Sequence, residues 1–198
     1  MFTFNQKKTM QAVGVLFREH NSSGISYIRV LKLLYIADRE CLQDTGSMIT
    51  GDKVVAMANG PVLSRVYNLI KGEAVGVEEW SRHFCTDHYH LKMHQPLDIG
   101  ELSKFEIEKL RDVAKRHEDD DDWQVVERTH DFEEWQKNRP IDHSSRPISI
   151  ADMLKALGRE KDLAAVEHFH KDDQIYTQTF LSSKGLSRIF DDVPSSHL

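Results

Sequence analysis

A chain of 198 residues with 39% hydrophobic and 29% charged side chains is long enough to bury one sizeable core and has neither a fibrous nor a disordered bias. No apolar run approaches the roughly 20 residues that span a bilayer, and the start, MFTFNQKKTM, lacks the basic-then-apolar order of a secretory signal, so a cytoplasmic protein without a membrane partner is expected. The net charge of −6 is uneven: residues 1–72 hold nine Lys or Arg against five Asp or Glu, residues 117–142 three against ten, which argues against a diffuse basic footprint for nucleic acid.

Met10, Val13, Leu16, Phe17 and His20 recur at helical spacing and predict an amphipathic helix over residues 6–20, ended by HNSSG. Ser26 is placed to cap a longer helix, YIRVLKLLYIADRECL, whose apolar seam runs Ile28, Leu31, Leu34, Tyr35, Cys41 and Leu42. Asp38 falls on the same seam. DTGSMITGD has turn composition, and residues 54–57 form a candidate strand. Pro61 at a first helical position and Gly72 just past a last one delimit a third helix, with Val62, Val66, Leu69 and Ile70 on one face. HYHLKM alternates polar and apolar and is expected to pair with residues 54–57.

Further on, Ser103 and Glu106 read as a capping box, with Leu102 and Ile107 spaced as a hydrophobic staple, so a helix to about His117 follows. The run Glu118 to Asp122 repels itself and reads as a solvated loop or a helix start. Asp131 and Glu134 are placed to cap a short helix carrying Phe132 and Trp135, and Ser149, between Ile148 and Met153, opens IADMLKAL, which Gly158 closes. Leu163, Val166 and Phe169 imply one more helix before a frayed tail. Together these elements predict a mainly α (α+β) fold, a compact bundle of about six to seven helices with a small antiparallel sheet. Residues 1–158 are expected as one domain and 159–198 as a C-terminal helical extension.

Candidate chemistry is sparse. His83, His88, His90 and His94 lie within twelve residues, and on a strand His88 and His90 would share a face. Zinc wants about four converging ligands, and the spacing matches no closed site. Cys41 and Cys85 are too isolated for a zinc pair or a disulfide framework. The single DTG at Asp44 has no second copy to supply a facing carboxylate, and no GxSxG, P-loop, GxGxxG or HExxH occurs. No catalytic residue, cofactor or metal is therefore assigned. Asp38 reads either as a catalytic acid or as a structural anion held by free backbone amides, such as those opened by Gly60 and Pro61. The second reading is preferred because no partner base is visible. Thr129, His130 and Asp131 are contiguous, poor geometry for a triad; capping by Thr129 or Asp131, with His130 and Trp135 turned inward, fits better.

Five blocks, KLLYIADRE, TGDKVVAMANGPVLSRVYNLIKG, LSKFEIEKL, THDFEEW and PISIADML, resemble in order and spacing the Panacea domain of SocA-like antitoxins, across about residues 8–158. The resemblance implies a mostly helical domain acting as an antitoxin that neutralises a co-encoded bacterial or phage toxin by direct binding. A cognate toxin is the implied partner, with a protease or chaperone as a second partner where the toxin is handed on. It also implies a structural signature at Asp38, Asn59, Gly60, Pro61, Thr129, His130 and Trp135. Anchors for a partner are sought among aromatic and Arg side chains: Arg65, Tyr67, Tyr35, Tyr176, Phe180 and Phe190. Two other function classes stay open, a metal-assisted hydrolase built on the histidine cluster and a repressor of its own operon.

Overall fold

Tyr27–Thr45 forms a helix, α2, in which every residue from Tyr27 to Asp38 is buried, and a helix covered on all sides must lie at the centre of a fold. The computed structural model describes residues 3–20, 24–142 and 144–163 and surrounds α2 with α1 (Gln6–His20), α5 (Lys104–Arg116) and α6 (Asp122–His130). Met10, Val13, Leu16 and Phe17 of α1 are buried as the spacing requires, while His20, at its end, is exposed. The Ser103 capping box is present, Leu102 is buried and Ile107 partly so, and α5 runs to its cap at His117. Asp121 opens α6 with a second capping box, so the acidic run is a helix start rather than a bare loop.

Two three-stranded antiparallel sheets flank the helices. One has the order β1 (Gly24–Ser26), β5 (His90–Met93), β4 (Phe84–Asp87); the other β3 (Gly60–Leu63), β2 (Val54–Met57), β6 (Arg146–Ile148). HYHLKM therefore does not pair with residues 54–57. Its strand lies between β1 and β4, and residues 54–57 are paired by β3 and β6 instead. His88 has φ 53° and sits in the β4–β5 turn, off the strand that was to align it with His90.

Pro61 is likewise a strand residue, opposite Ala56, and not a helix start. It occupies an edge strand, where the missing N–H interrupts little of the ladder. The helix that follows, α3 (Ser64–Lys71), begins three residues later and stops at Gly72 in the left-handed conformation, φ 76°. Ser26 is the N-cap residue of α2 but makes no side-chain cap bond, and the Tyr27 amide at the helix start donates instead to the Tyr89 carbonyl at 2.9 Å.

A short α4 (Val77–Ser81) was not legible in the sequence; it buries Trp80 against Phe84 with ring centroids 4.5 Å apart. In α7 (Glu133–Asn138) the N-cap is Phe132, with no side-chain bond, so neither Asp131 nor Glu134 caps it. Ser149 caps α8 (Ile150–Ala156) by accepting from the Asp152 amide, and Gly158 follows with φ 67°. The fold is mainly helical α+β, with eight α-helices among the described residues where the sequence suggested six to seven. The difference comes from α4, only five residues long, and from α6, whose start at the acidic run the sequence left open between a loop and a helix. Past residue 158, Arg159 Nη1 donates to the Gln43 carbonyl at 2.6 Å, and the helix expected around Val166 and Phe169 lies outside the described residues.

Candidate functional site

The tight turn between β2 and β3 brings most of the proposed signature together. Gly60 takes φ 98°, and a Cβ there would lie 2.6 Å from Thr129 Oγ1 and 2.8 Å from Lys32 Nζ. Only glycine lets the hairpin settle this closely onto α2 and α6. Lys32 Nζ donates to the Pro61 carbonyl at 2.9 Å, and Trp135 Nε1 donates to the Met57 carbonyl at 2.9 Å, so both sides of the turn are held by buried side chains. His130 stacks on Trp135 with centroids 4.3 Å apart and planes 10° from parallel. Thr129 is fully buried and spends its hydroxyl on the Val126 carbonyl, within its own helix, rather than as a cap. Asn59 is half-buried at the turn itself.

Lys32 was not singled out by sequence, yet it is fully buried. Desolvation pulls its ammonium down to about 7. His130 is also held below the usual histidine range, first by burial and then by the charges of Lys32 and Arg139. Its Nε2 is buried and has no hydrogen-bond partner among the described residues. A signal was available for Lys32: it interrupts the otherwise apolar LKLL, and an isolated charge in such a run must be buried or turned out.

Asp38 is buried as its seam position requires, but its donors are not those of Gly60 and Pro61. The Ile49 and Thr50 amides donate to Oδ1 at 2.7 and 2.9 Å, and the Thr50 hydroxyl donates to Oδ2. Burial pushes its carboxyl up to about 7, against the pull of these three donors. The free amides of the following helix start are met by Asp52, whose carboxylate accepts from Arg65 N at 3.0 Å and Val66 N at 3.0 Å. Burial raises Asp52 to about 6, again opposed by backbone amides. A cap supplied from thirteen residues upstream leaves no local pattern to read. Glu134, also buried, accepts from Tyr35 Oη at 2.7 Å and Arg39 Nε at 2.7 Å.

Among the sequence-derived partner anchors, Tyr35 and Tyr67 are core residues with no surface to offer. Both had apolar neighbours at helical spacing, and that environment decides their place. Arg65 is half-exposed at the start of α3, its guanidinium 5.2 Å from the centroid of the Phe4 ring. Tyr176, Phe180 and Phe190 lie outside the described residues. His88, His90 and His94 are exposed and His83 is partly so, with its Nδ1 at 3.0 Å from the Gln95 carbonyl. No three His, Cys, Asp or Glu side chains converge as a metal site among the described residues. No helix among those residues is long and apolar enough to cross a membrane.

A family model described as "Antitoxin SocA-like, Panacea domain" matches residues 30–136. That span holds the hairpin, both buried aspartates and the Thr129–Trp135 support. No curated protein and no solved structure matches the chain significantly.

Proposed function

The chain belongs to the SocA-like antitoxin family of Panacea domains, and on that premise we propose that it neutralises a protein toxin by direct, stoichiometric binding. One observation carries the reading beyond family membership: the signature residues turn inward. Asp38, Thr129 and Trp135 of that set, with Lys32 beside them, direct their polar atoms to backbone inside the fold, where they support the hairpin and its helices rather than line an open cleft. Such a set supports a preformed surface, which is what a binder needs to limit the ordering cost of association.

A stable complex needs about 1,200 Å² or more of total buried surface. Arg65, beside the hairpin, is the anchor in this proposal, and Trp123, 39% exposed at the start of α6, adds a second aromatic contact at the acidic end of the domain. Handing the bound toxin to a protease is the finer version of the same mechanism. Co-expression of this chain with the protein encoded in the adjacent reading frame tests the proposal. Rescue of growth together with co-purification supports it, and rescue without a complex in the presence of stable toxin overturns it.

A further inference from the structure

His130 ends α6 and lies flat on Trp135 of α7, with ring centroids 4.3 Å apart and planes 10° from parallel. The same indole donates from Nε1 to the Met57 carbonyl at 2.9 Å, so the stack braces the last residue of β2, just before the turn at Ala58 and Asn59. Around the imidazole the buried charge is of one sign. Lys32 of α2 is fully buried and donates to the Pro61 carbonyl on the far side of the turn, and the Arg139 guanidinium, just past α7, lies 5.1 Å from the centroid of the Trp135 ring. Glu127 of α6 and Asp131 oppose these cations, but both are exposed, where water and salt screen them. Glu134 of α7 is buried and engaged by Tyr35 and Arg39. The hairpin adds nothing ionisable, since residues 54–63 read VVAMANGPVL.

A neutral imidazole fits this place and an imidazolium does not. The neutral ring carries one N–H and can leave its other nitrogen bare, whereas the cation carries N–H on both. His130 Nε2 is buried with no partner among the described residues, so in the cation it becomes a charged donor with nothing to receive its proton, a costly state. Stacking on an indole does favour a cation, but Arg139 already draws on the same ring, and Lys32 acts on the imidazole through the protein interior. Burial first, then Lys32, then Arg139 hold His130 below the usual histidine range, against smaller opposing effects of Glu127 and Asp131.

We propose that His130 is a proton-sensitive latch on the β2–β3 hairpin: the neutral ring holds Trp135 against Met57, and protonation breaks the stack and releases the turn at Ala58, Asn59 and Gly60. Nε2 is closed to water inside the stack, so the imidazolium finds an acceptor only after the ring swings out, and protonation and opening are linked. A base held below its ordinary 6.5 takes its proton more readily in the open state, so the closed state loses stability as pH falls through 6.5 and keeps losing it down to the folded-state value. The latch belongs to the fold and does not depend on the antitoxin reading. Asp38 and Asp52, raised to about 7 and about 6, shift whole-chain stability the other way over the same range, so the readout has to be local.

Nuclear magnetic resonance of the full chain supplies one. The His130 ring signal should titrate with a midpoint below 6.5. Between pH 7.5 and pH 5 the Trp135 indole N–H should lose at least about threefold of its protection from solvent exchange, corrected for the intrinsic rate, while the amides of α2 keep theirs. His130→Phe keeps a flat ring on the indole and takes no proton, so its Trp135 protection should be the same at both pH values. The midpoint and the indole protection of the parent decide the matter even where that variant does not fold. A His130 midpoint at or above 6.5, an indole equally protected at both pH values in the parent, an equal loss in His130→Phe, or a simultaneous loss across α2 overturns the inference.

Discussion

Replacing Gly60 with Ala tests whether the hairpin is held by contact with α2 and α6. Two penalties add at this site. A side chain at φ 98° meets backbone strain of about 1–2 kcal/mol, and a Cβ placed 2.6 Å from Thr129 Oγ1 and 2.8 Å from Lys32 Nζ forces overpacking worth about 1–3 kcal/mol. Lys32 is a long side chain but is enclosed, and Thr129 sits within α6, so neither has open space to yield into. The total is about 2–5 kcal/mol, which for a domain of this size lowers Tm by roughly 4–20 °C. Gly72 supplies the control, since it has φ 76° with nothing among the described residues within 4 Å of its added Cβ. Gly72→Ala should carry the strain alone, about 1–2 kcal/mol. Thermal and urea unfolding of the two variants measure the difference. Equal losses would refute close packing of the hairpin onto Lys32 and Thr129.

Lys32→Met should change the pH profile of stability. Lys32 sits near 7 in the fold against 10.5 for an ordinary lysine, so the unfolded chain binds more protons between those values and stability rises with pH across that window. Urea unfolding at pH 7 and 9.5 should show the rise in the parent and a flatter profile in the variant; parallel profiles would contradict it. Asp38 and Asp52 act with the opposite sign. Their carboxyls are raised to about 7 and about 6 from 3.8, so their contribution is fully present below pH 4 and is lost as pH climbs through 6 to 7. Asp38→Ala, which strands the Ile49 and Thr50 amides and the Thr50 hydroxyl, should cost about 2–5 kcal/mol in urea unfolding. An unchanged Tm with lost neutralisation would instead place Asp38 at the interface. Within the acidic run, Asp121→Ala should cost about 1 kcal/mol by uncapping α6, whereas Asp119→Asn, on an exposed residue, should leave unfolding unchanged.

What was legible in the sequence is what local physics fixes. The Ser103 and Ser149 caps, the Gly72 stop and the burial of Asp38 all rest on residues within a few positions of one another, and each appears as read. Pro61 misled because proline suits both a first helical turn and an edge strand, and only the pairing with β2, itself a tertiary event, separates the two. The partners of HYHLKM were hidden for the same reason: β1 precedes it by more than sixty residues and has only three residues of its own. The buried charges divide likewise. Asp38 betrayed itself by interrupting a seam, but Asp52 caps α3 from across a hairpin and Glu134 meets Tyr35 and Arg39 from another helix. Such long-range polar pairs leave no spacing to read.

The central claim is that this chain acts by stoichiometric contact, and a titration of purified toxin with increasing amounts of the full chain tests it directly, with no protease present. Neutralisation that rises linearly and completes near an equimolar ratio is the predicted result. Complete neutralisation at a hundredfold deficit of this chain would mean turnover and would contradict the account.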